Sequence, residues 1–315
     1  MSKIYTLEQI KDVMDKIELS EPIAKGFVAY SNGEVVVPPV GELTFTDPPG
    51  DTHIKYGYIK GDETYVIKIA SGFYNNPKLG LSSSSGLMLV FSQKTGELQT
   101  VLLDEGYLTN VRTAVAGQIC AKYLAPENVT SIGVLGTGIQ AGMQVEYLAP
   151  VTQCKQVFVW GRTPSNAENY KEEMTAKGYH VTVADSPAQV AQKCNLIVTT
   201  TPSTSPLLSI DDILPGTHIT AMGSDTPGKQ ELASSILEKA DIIIADSISQ
   251  CRERGEIAKA LVEGMLDEQR ILELGTIIDS PALVKRTKES ISVADLTGVA
   301  VQDVQIATAV CNAFA

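Results

Sequence analysis

The segment SIGVLGTGIQAGMQ at residues 131–144 constrains this chain more than any other part of it. An apolar run rises into Gly136-Thr137-Gly138-Ile139-Gln140-Ala141, and helix-forming residues follow. Strand, glycine turn and helix in that order make the G-x-G-x-x-A form of the dinucleotide-binding fingerprint. Gly136 permits the tight turn, Gly138 lets backbone approach a pyrophosphate, and Ala141 is small enough for close helix–strand packing. The free N–H groups of Gly138, Ile139 and Gln140 at the helix start suit a diphosphate, with Thr137 beside them. The hexapeptide alone is weak evidence, because a tight βα turn without a ligand reads the same. Its context favours the functional reading, since a second apolar strand, QVFVWG, follows at residues 156–161.

That second strand bears on the choice of coenzyme. Sites that prefer NAD usually end it with Asp or Glu for the ribose hydroxyls, whereas this chain has Trp160-Gly161-Arg162-Thr163. Arg162 with the hydroxyl of Thr163 suits a 2′-phosphate, so NADPH is favoured over NADH, with dual use open. The competing reading makes Arg162 a solvated loop residue stacked on adenine.

On either side of the glycine turn the patterning differs. After Ala125-Pro126, apolar strands alternate with helical stretches: SIGVLG, QVFVWG, HVTVA, NLIVTTT, HITAMG and DIIIAD. Near-continuous apolar strands between helices imply a parallel sheet covered on both faces, a doubly wound Rossmann domain over 126–296. Before it, Thr6 reads as the N-cap of a helix to Ile17, and Pro22–Tyr30 as a second helix. Short β-rich runs then fill Val35 to Leu103, separated by turn residues, and predict a mostly antiparallel sheet followed by a helix over 108–123. A last helix spans roughly 297–314. The fold class is therefore α/β, a Rossmann domain plus an α+β domain made of 1–125 and 297–315.

Composition excludes several classes. The 315 residues carry a net charge of −12 and no basic block, which argues against a nucleic-acid partner. Five scattered cysteines without a C-x-x-C indicate neither a disulfide framework nor a zinc cluster, and reduced thiols fit a cytoplasmic protein. The charged N-terminus is no signal peptide, and no apolar run approaches the roughly 20 residues that cross a bilayer, so no membrane partner is expected. The histidines share no metal-ligand spacing, so no metal is expected either. Neither a G-x-S-x-G elbow nor a P-loop lysine is present.

Three polar residues outside the fingerprint are candidates for chemistry. Lys68 lies inside the apolar strand TYVIKIAS, on the face of Val66 by alternation. A lysine there needs a partner or a ligand, unless it sits at a sheet edge and reaches water. Arg112, in LTNVRTAVAG, is surrounded by small residues and could grip a carboxylate in a bidentate fashion or form an ion pair bracing two elements. Asp225, in ITAMGSDTPGKQEL just after Met222, follows the carboxyl end of a parallel strand, where α/β sheets bind ligands. It could move a proton at a nitrogen, or act only as a turn residue.

The stretches KIASGFYNNPKLGL, LLDEGYLTNVRTAVAG, GVLGTGIQAGMQ and AMGSDTPGKQELASSIL, with ADIIIADSISQCRERGEI, together resemble the ornithine cyclodeaminase/mu-crystallin family over nearly the whole chain. The resemblance implies a substrate and dimerisation domain, a nicotinamide coenzyme, and homodimers whose N-terminal sheets pair. Its activities pass through an α-imino acid and hydride exchange: cyclodeamination of ornithine, alanine dehydrogenation, or reduction of ketimines such as Δ1-pyrroline-2-carboxylate. Lys68 and Arg112 fall on the carboxylate-binding and catalytic positions, and Asp225 on the acid/base aspartate beside the nicotinamide, with Met222 at the coenzyme. Where the family often has an arginine, VVVPPVGEL places Val40, and Lys55 is expected to supply the charge. Glu42 is the candidate for the distal ammonium of a diamino acid. The expected activity is NAD(P)H-dependent reduction of a small imino acid, Δ1-pyrroline-2-carboxylate to L-proline first. Ornithine cyclodeaminase, an alanine or iminosuccinate enzyme, and a non-enzymatic binding protein are the rivals.

Overall fold

A computed structural model describes residues 2–73 and 75–314. Tyr74, inside the KIASGFYNNPKLGL stretch, lies outside the described residues, as do Met1 and Ala315. Contacts divide the chain into two compact units, Met1–Thr113 with Val299–Ala315, and Ala114–Gly298.

The first unit opens with β1 (Lys3–Thr6) and α1 (Leu7–Met14). Thr6 caps α1 in a reciprocal pair with Gln9, whose side-chain oxygen accepts from Thr6 N at 2.9 Å. α1 stops at Met14 rather than Ile17, because Lys16 and Ile17 donate to Val13 and Met14, three residues back, in a tightened last turn. After α2 (Ser20–Ser31) come β2 (Val35–Val36), β3 (Gly41–Thr46), β4 (Pro49–Ile59), β5 (Thr64–Phe73), β6 (Ser84–Ser92) and β7 (Leu98–Leu103). The sheet order is β1-β7-β6-β5-β4-β2, with β3 also on β4. Every pairing is antiparallel except β1 on β7, which runs parallel from Lys3 opposite Thr100 to Thr6 opposite Leu103. β5 is interior to the sheet, so Lys68 has no edge from which to reach water.

Glu105, at φ 52°, and Gly106, at φ 84°, turn the chain into α3 (Tyr107–Leu124). Buried Asp104 accepts from Leu108 N at 2.8 Å, which satisfies a donor of the first turn. The division between units falls inside α3, at Thr113/Ala114, because one continuous helix leads from one to the other where the sequence suggested a break at 125/126.

The second unit contains β8 (Ile132–Leu135), α4 (Ile139–Tyr147), β9 (Gln156–Trp160), α5 (Pro164–Ala176), β10 (His180–Val183), α6 (Pro187–Ala191), β11 (Leu196–Thr199), β12 (Thr204–Leu208), β13 (His218–Ala221), β14 (Gln230–Leu232), α7 (Ser234–Lys239), β15 (Ile242–Ala245), α8 (Ile248–Cys251), α9 (Gly255–Val262), β16 (Ile271–Glu273), α10 (Leu274–Asp279) and β17 (Ser292–Asp295). Its main sheet is parallel throughout, in the order β10-β9-β8-β11-β13-β17-β15-β16. The sequence direction reverses on either side of β8, and that switch point is where such sheets open a crevice at their carboxyl ends. β8, β11 and β13 are buried along their full length, which accounts for their unbroken apolar runs.

The chain returns to the first unit in α11 (Val301–Ala313), which packs on α2, β4 and β5. It starts later than Thr297 because Gly298, at φ 83°, breaks the helical path. Among the described residues no helix is long and apolar enough to cross a membrane.

Candidate active site

In the first unit the β4–β5 register sets Lys55 opposite Lys68. Alternation along β5 buries Val66 and Lys68 on one face, and Lys68 is only 2% exposed, Lys55 8% and Arg112 6%. Asp303 of α11, 1% exposed, is the carboxylate among them. Lys68 Nζ lies 3.1 Å from its Oδ1 and 3.0 Å from its Oδ2. Arg112 Nε lies 3.0 Å from Oδ1, and Arg112 also donates to Gln302 Oε1 at 3.2 Å. Three cations thus act on the Asp303 carboxylate in a buried cluster of charge, with buried Asp104 also coupled to Lys68.

Burial pushes Lys68 down to about 7; Asp303 opposes the shift, while Arg112 and Lys55 reinforce it. Burial would raise Asp303, but Lys68, Arg112 and Lys55 together hold it below the ordinary carboxylate range. Lys68 is therefore poised to hold or release a proton near neutrality, and an arriving carboxylate would favour its charged form.

Further along β4, His53 Nδ1 lies 3.7 Å from Glu42 and its Nε2 lies 3.5 Å from Asp51. Glu42 is therefore engaged with His53, its register partner across β3–β4, two residues before Lys55. Val40 precedes β3 and brings no charge.

In the second unit the fingerprint glycines sit between β8 and α4. Gly136 has φ 119°, and a Cβ there would fall 2.4 Å from Thr200 Oγ1, so this turn admits only glycine. Gly138 is the N-cap of α4 and makes no side-chain cap; a Cβ on it would meet nothing within 4 Å. The start of α4 thus opens onto space at Gly138 without a side-chain cap, the arrangement that suits a diphosphate. Beside it is a cavity of about 290 Å³ lined in part by Gly136, Thr137, Gly138, Arg162, Thr163 and Asn166. No carboxylate lines it, and Thr163, the N-cap of α5, makes no side-chain cap bond. These residues fit a dinucleotide.

Four of the expected coenzyme residues stand apart from the cavity wall. Ile139 is 56% exposed at the first position of α4, and Gln140 accepts from Gln144 at 3.2 Å. Met222 and Asp225 lie on the loop that follows β13, at the carboxyl edge of the sheet, rather than in the cavity lining. Met222 is buried, and its N–H donates to Thr199 at 3.1 Å. Asp225 is half exposed, with Lys229 Nζ at 2.6 Å and the Thr226 hydroxyl at 3.1 Å from its Oδ1.

Sequence reasoning missed Asp303, Gln302 and the loop Thr200–Ser203 that forms the far wall of the cavity. A signal for Asp303 did exist, since it is the one charged residue in VQDVQIATAVCNAF.

With this geometry in view, comparison with known proteins is direct. The chain matches the ornithine cyclodeaminase/mu-crystallin family over residues 2–315, and it belongs to that family. An uncharacterized cyclodeaminase from Sinorhizobium fredii is 37% identical over 97% of this chain and 94% of the relative. A Δ1-pyrroline-2-carboxylate reductase from Bacillus cereus is 27% identical over 96% and 94% respectively. Among solved structures, an archaeal alanine dehydrogenase dimer with bound NAD superposes with a TM-score of 0.89 at 31% identity, covering 99% of this chain and 95% of that one.

Proposed function

We propose that this chain is an NAD(P)H-dependent reductase of a small α-imino acid, with Δ1-pyrroline-2-carboxylate to L-proline as its first-choice reaction, working as a homodimer. The observation that carries the reading is the buried cluster of Lys55, Lys68 and Arg112 gathered at Asp303. Such a cluster matches a single small carboxylate and leaves little for a neutral or cationic ligand. Relatives named for imino- and amino-acid chemistry support the same class.

In this reading Arg112, Lys68 and Lys55 bind the substrate carboxylate and draw electron density from the adjacent C=N bond. Asp225 holds or relays the proton that reaches the nitrogen, with Lys229 Nζ 2.6 Å from its Oδ1. Gly136, Thr137, Gly138, Ile139 and Gln140 hold the diphosphate of the coenzyme, while Met222 and Asp225 approach its nicotinamide end. Arg162 and Thr163 take the ribose 2′-phosphate, which favours NADPH. The bound nicotinamide supplies the hydride; the chain's own contribution is orientation and charge.

One observation favours a second reading, cyclodeamination of a diamino acid: Glu42 and Asp51 flank His53, two residues along β4 from Lys55, and could receive a distal ammonium. An oxidation assay with NADPH and NADH separates the two. It would be run on Δ1-pyrroline-2-carboxylate, Δ1-piperideine-2-carboxylate, pyruvate with ammonia, and iminosuccinate, with ornithine beside them. Coenzyme consumption with a cyclic imine is expected. Ammonia release from ornithine without net oxidation would replace the reductase with the cyclodeaminase, and no turnover on any arm would remove both.

A further inference from the structure

Behind the cavity wall lies a buried carboxylate that the proposed chemistry does not use. Glu231 of β14 is fully buried and receives four donors. Its Oε1 accepts from Thr201 N at 2.6 Å and Thr201 Oγ1 at 2.7 Å; its Oε2 accepts from Thr199 Oγ1 at 2.6 Å and Gly223 N at 2.9 Å. Thr201 belongs to the loop after β11 that walls the coenzyme cavity, and Gly223 to the loop after β13 that carries Met222 and Asp225. The two loops also touch directly, since a Cβ on Gly223 would fall 2.1 Å from Thr201 O and 2.5 Å from Glu231 Oε2.

A second carboxylate supports the first from behind. Glu256 of α9 accepts from the backbone N–H of Glu231 at 2.8 Å and of Leu232 at 2.9 Å, and from Ser224 Oγ at 2.5 Å. Glu256 thereby fixes β14 and grips the Asp225 loop one residue beyond Gly223.

Resting on the reductase reading for its functional meaning, we infer that Glu231 is a positioning residue that fastens the coenzyme-cavity loop to the Asp225 loop, so that both order or loosen together. A carboxylate is the one side chain that can accept at both oxygens from both loops at once. Protonation turns one oxygen into a donor, so one of the four incoming bonds is lost or, at a threonine hydroxyl, reversed, and the carboxyl then holds the loops by weaker neutral bonds. Burial pushes Glu231 up to about 7 against the hydrogen bonds from Thr199 and Thr201, and Glu256 raises it further. Glu256 itself faces Lys259, and Asp295 beyond it is raised by burial, by Glu256 and by Asp246. The fastening is therefore tightest above about pH 7 and slackens below it.

Amide hydrogen exchange on the coenzyme-free protein tests this without any assay of turnover. Segments 199–203 and 222–225 are expected to lose protection together in Glu231→Gln, by about tenfold, which is the loss of roughly 1.5 kcal/mol in bonds to a charged group. In the unmodified protein both segments should lose protection together between pH 8 and pH 6, after correction for intrinsic exchange, and Glu231→Gln should abolish that dependence. Thr201→Val keeps the carboxylate and removes one donor, so a smaller opening of both segments is expected even where Glu231→Gln does not fold. Opening confined to 199–203 in Thr201→Val, unchanged protection in Glu231→Gln, or pH-independent protection in the unmodified protein would overturn the inference. A protein that oxidises no coenzyme with any imine would defeat the reductase reading and leave the exchange result standing.

Discussion

Replacing Asp303 with Asn probes the cationic cluster at the carboxylate that touches both Lys68 and Arg112. The carboxylate lies 3.0 Å from both Lys68 Nζ and Arg112 Nε at 1% exposure. Removing one partner of a buried ion pair costs about 3–5 kcal/mol, because the remaining charge is left uncompensated. Lys68 can relieve part of that cost by shedding its proton. In the folded protein its value is about 7 against an ordinary 10.5, so between those pH values the unfolded chain holds a proton that the folded chain has released. Stability from this group therefore rises with pH across that window. Loss of Asp303 lowers the folded value further, so Asp303→Asn should cost about 5 kcal/mol at pH 6 and about 3 kcal/mol at pH 8. At about 2–4 °C per kcal/mol, the loss at pH 6 is roughly 10–20 °C in Tm. Calorimetric melting of the two proteins at both pH values measures it. The double variant Lys68→Met with Asp303→Leu should recover only the part of the loss that comes from Lys68, because Arg112 stays buried without its carboxylate. An Asp303→Asn protein that melts like the unmodified one at pH 6 would refute the reasoning.

Other consequences are simpler to state. Gly138→Ala should fold normally, because its Cβ meets nothing within 4 Å, yet bind either coenzyme at least tenfold more weakly by titration. Gly136→Ala should instead lose about 1–3 kcal/mol of stability through its positive φ and the contact with Thr200, seen as an earlier denaturant midpoint. Arg162→Ala should weaken NADPH by about tenfold and leave NADH unchanged, the loss expected for one exposed bond to a charged group. Binding of a small carboxylate at pH 8 should take up a proton at Lys68, read by calorimetry in buffers of different ionisation enthalpy; Lys68→Met should abolish the uptake.

The glycine fingerprint and the parallel strands were legible because buried strands write unbroken apolar runs and the turn requires Gly136. Lys68 was legible for a related reason: period-two alternation placed a charge on a buried face. β1 was not, since KIYT carries too few apolar residues to stand out, and its parallel pairing with β7 is a contact across most of the first unit. β17, reading SVAD, escaped notice because a four-residue strand with two polar residues is too short to write a period. Asp303 illustrates the remaining gap most clearly. Its charge was visible in an otherwise uncharged helix, but its partners lie far upstream at Lys68 and Arg112, and only the fold brings them within 3 Å. Glu231 reads locally as a surface residue between Gln230 and Leu232, and nothing near it in sequence reveals that two distant loops close over it.

The reaction itself can be followed atom by atom. Incubating the protein with Δ1-pyrroline-2-carboxylate and NADPH carrying two deuterium atoms at C4 of the nicotinamide, then analysing the product by mass spectrometry, tests hydride delivery to the carbon beside the carboxylate. Proline carrying one deuterium at Cα is the predicted product. Proline without deuterium, or no proline with either reduced coenzyme, would contradict the account.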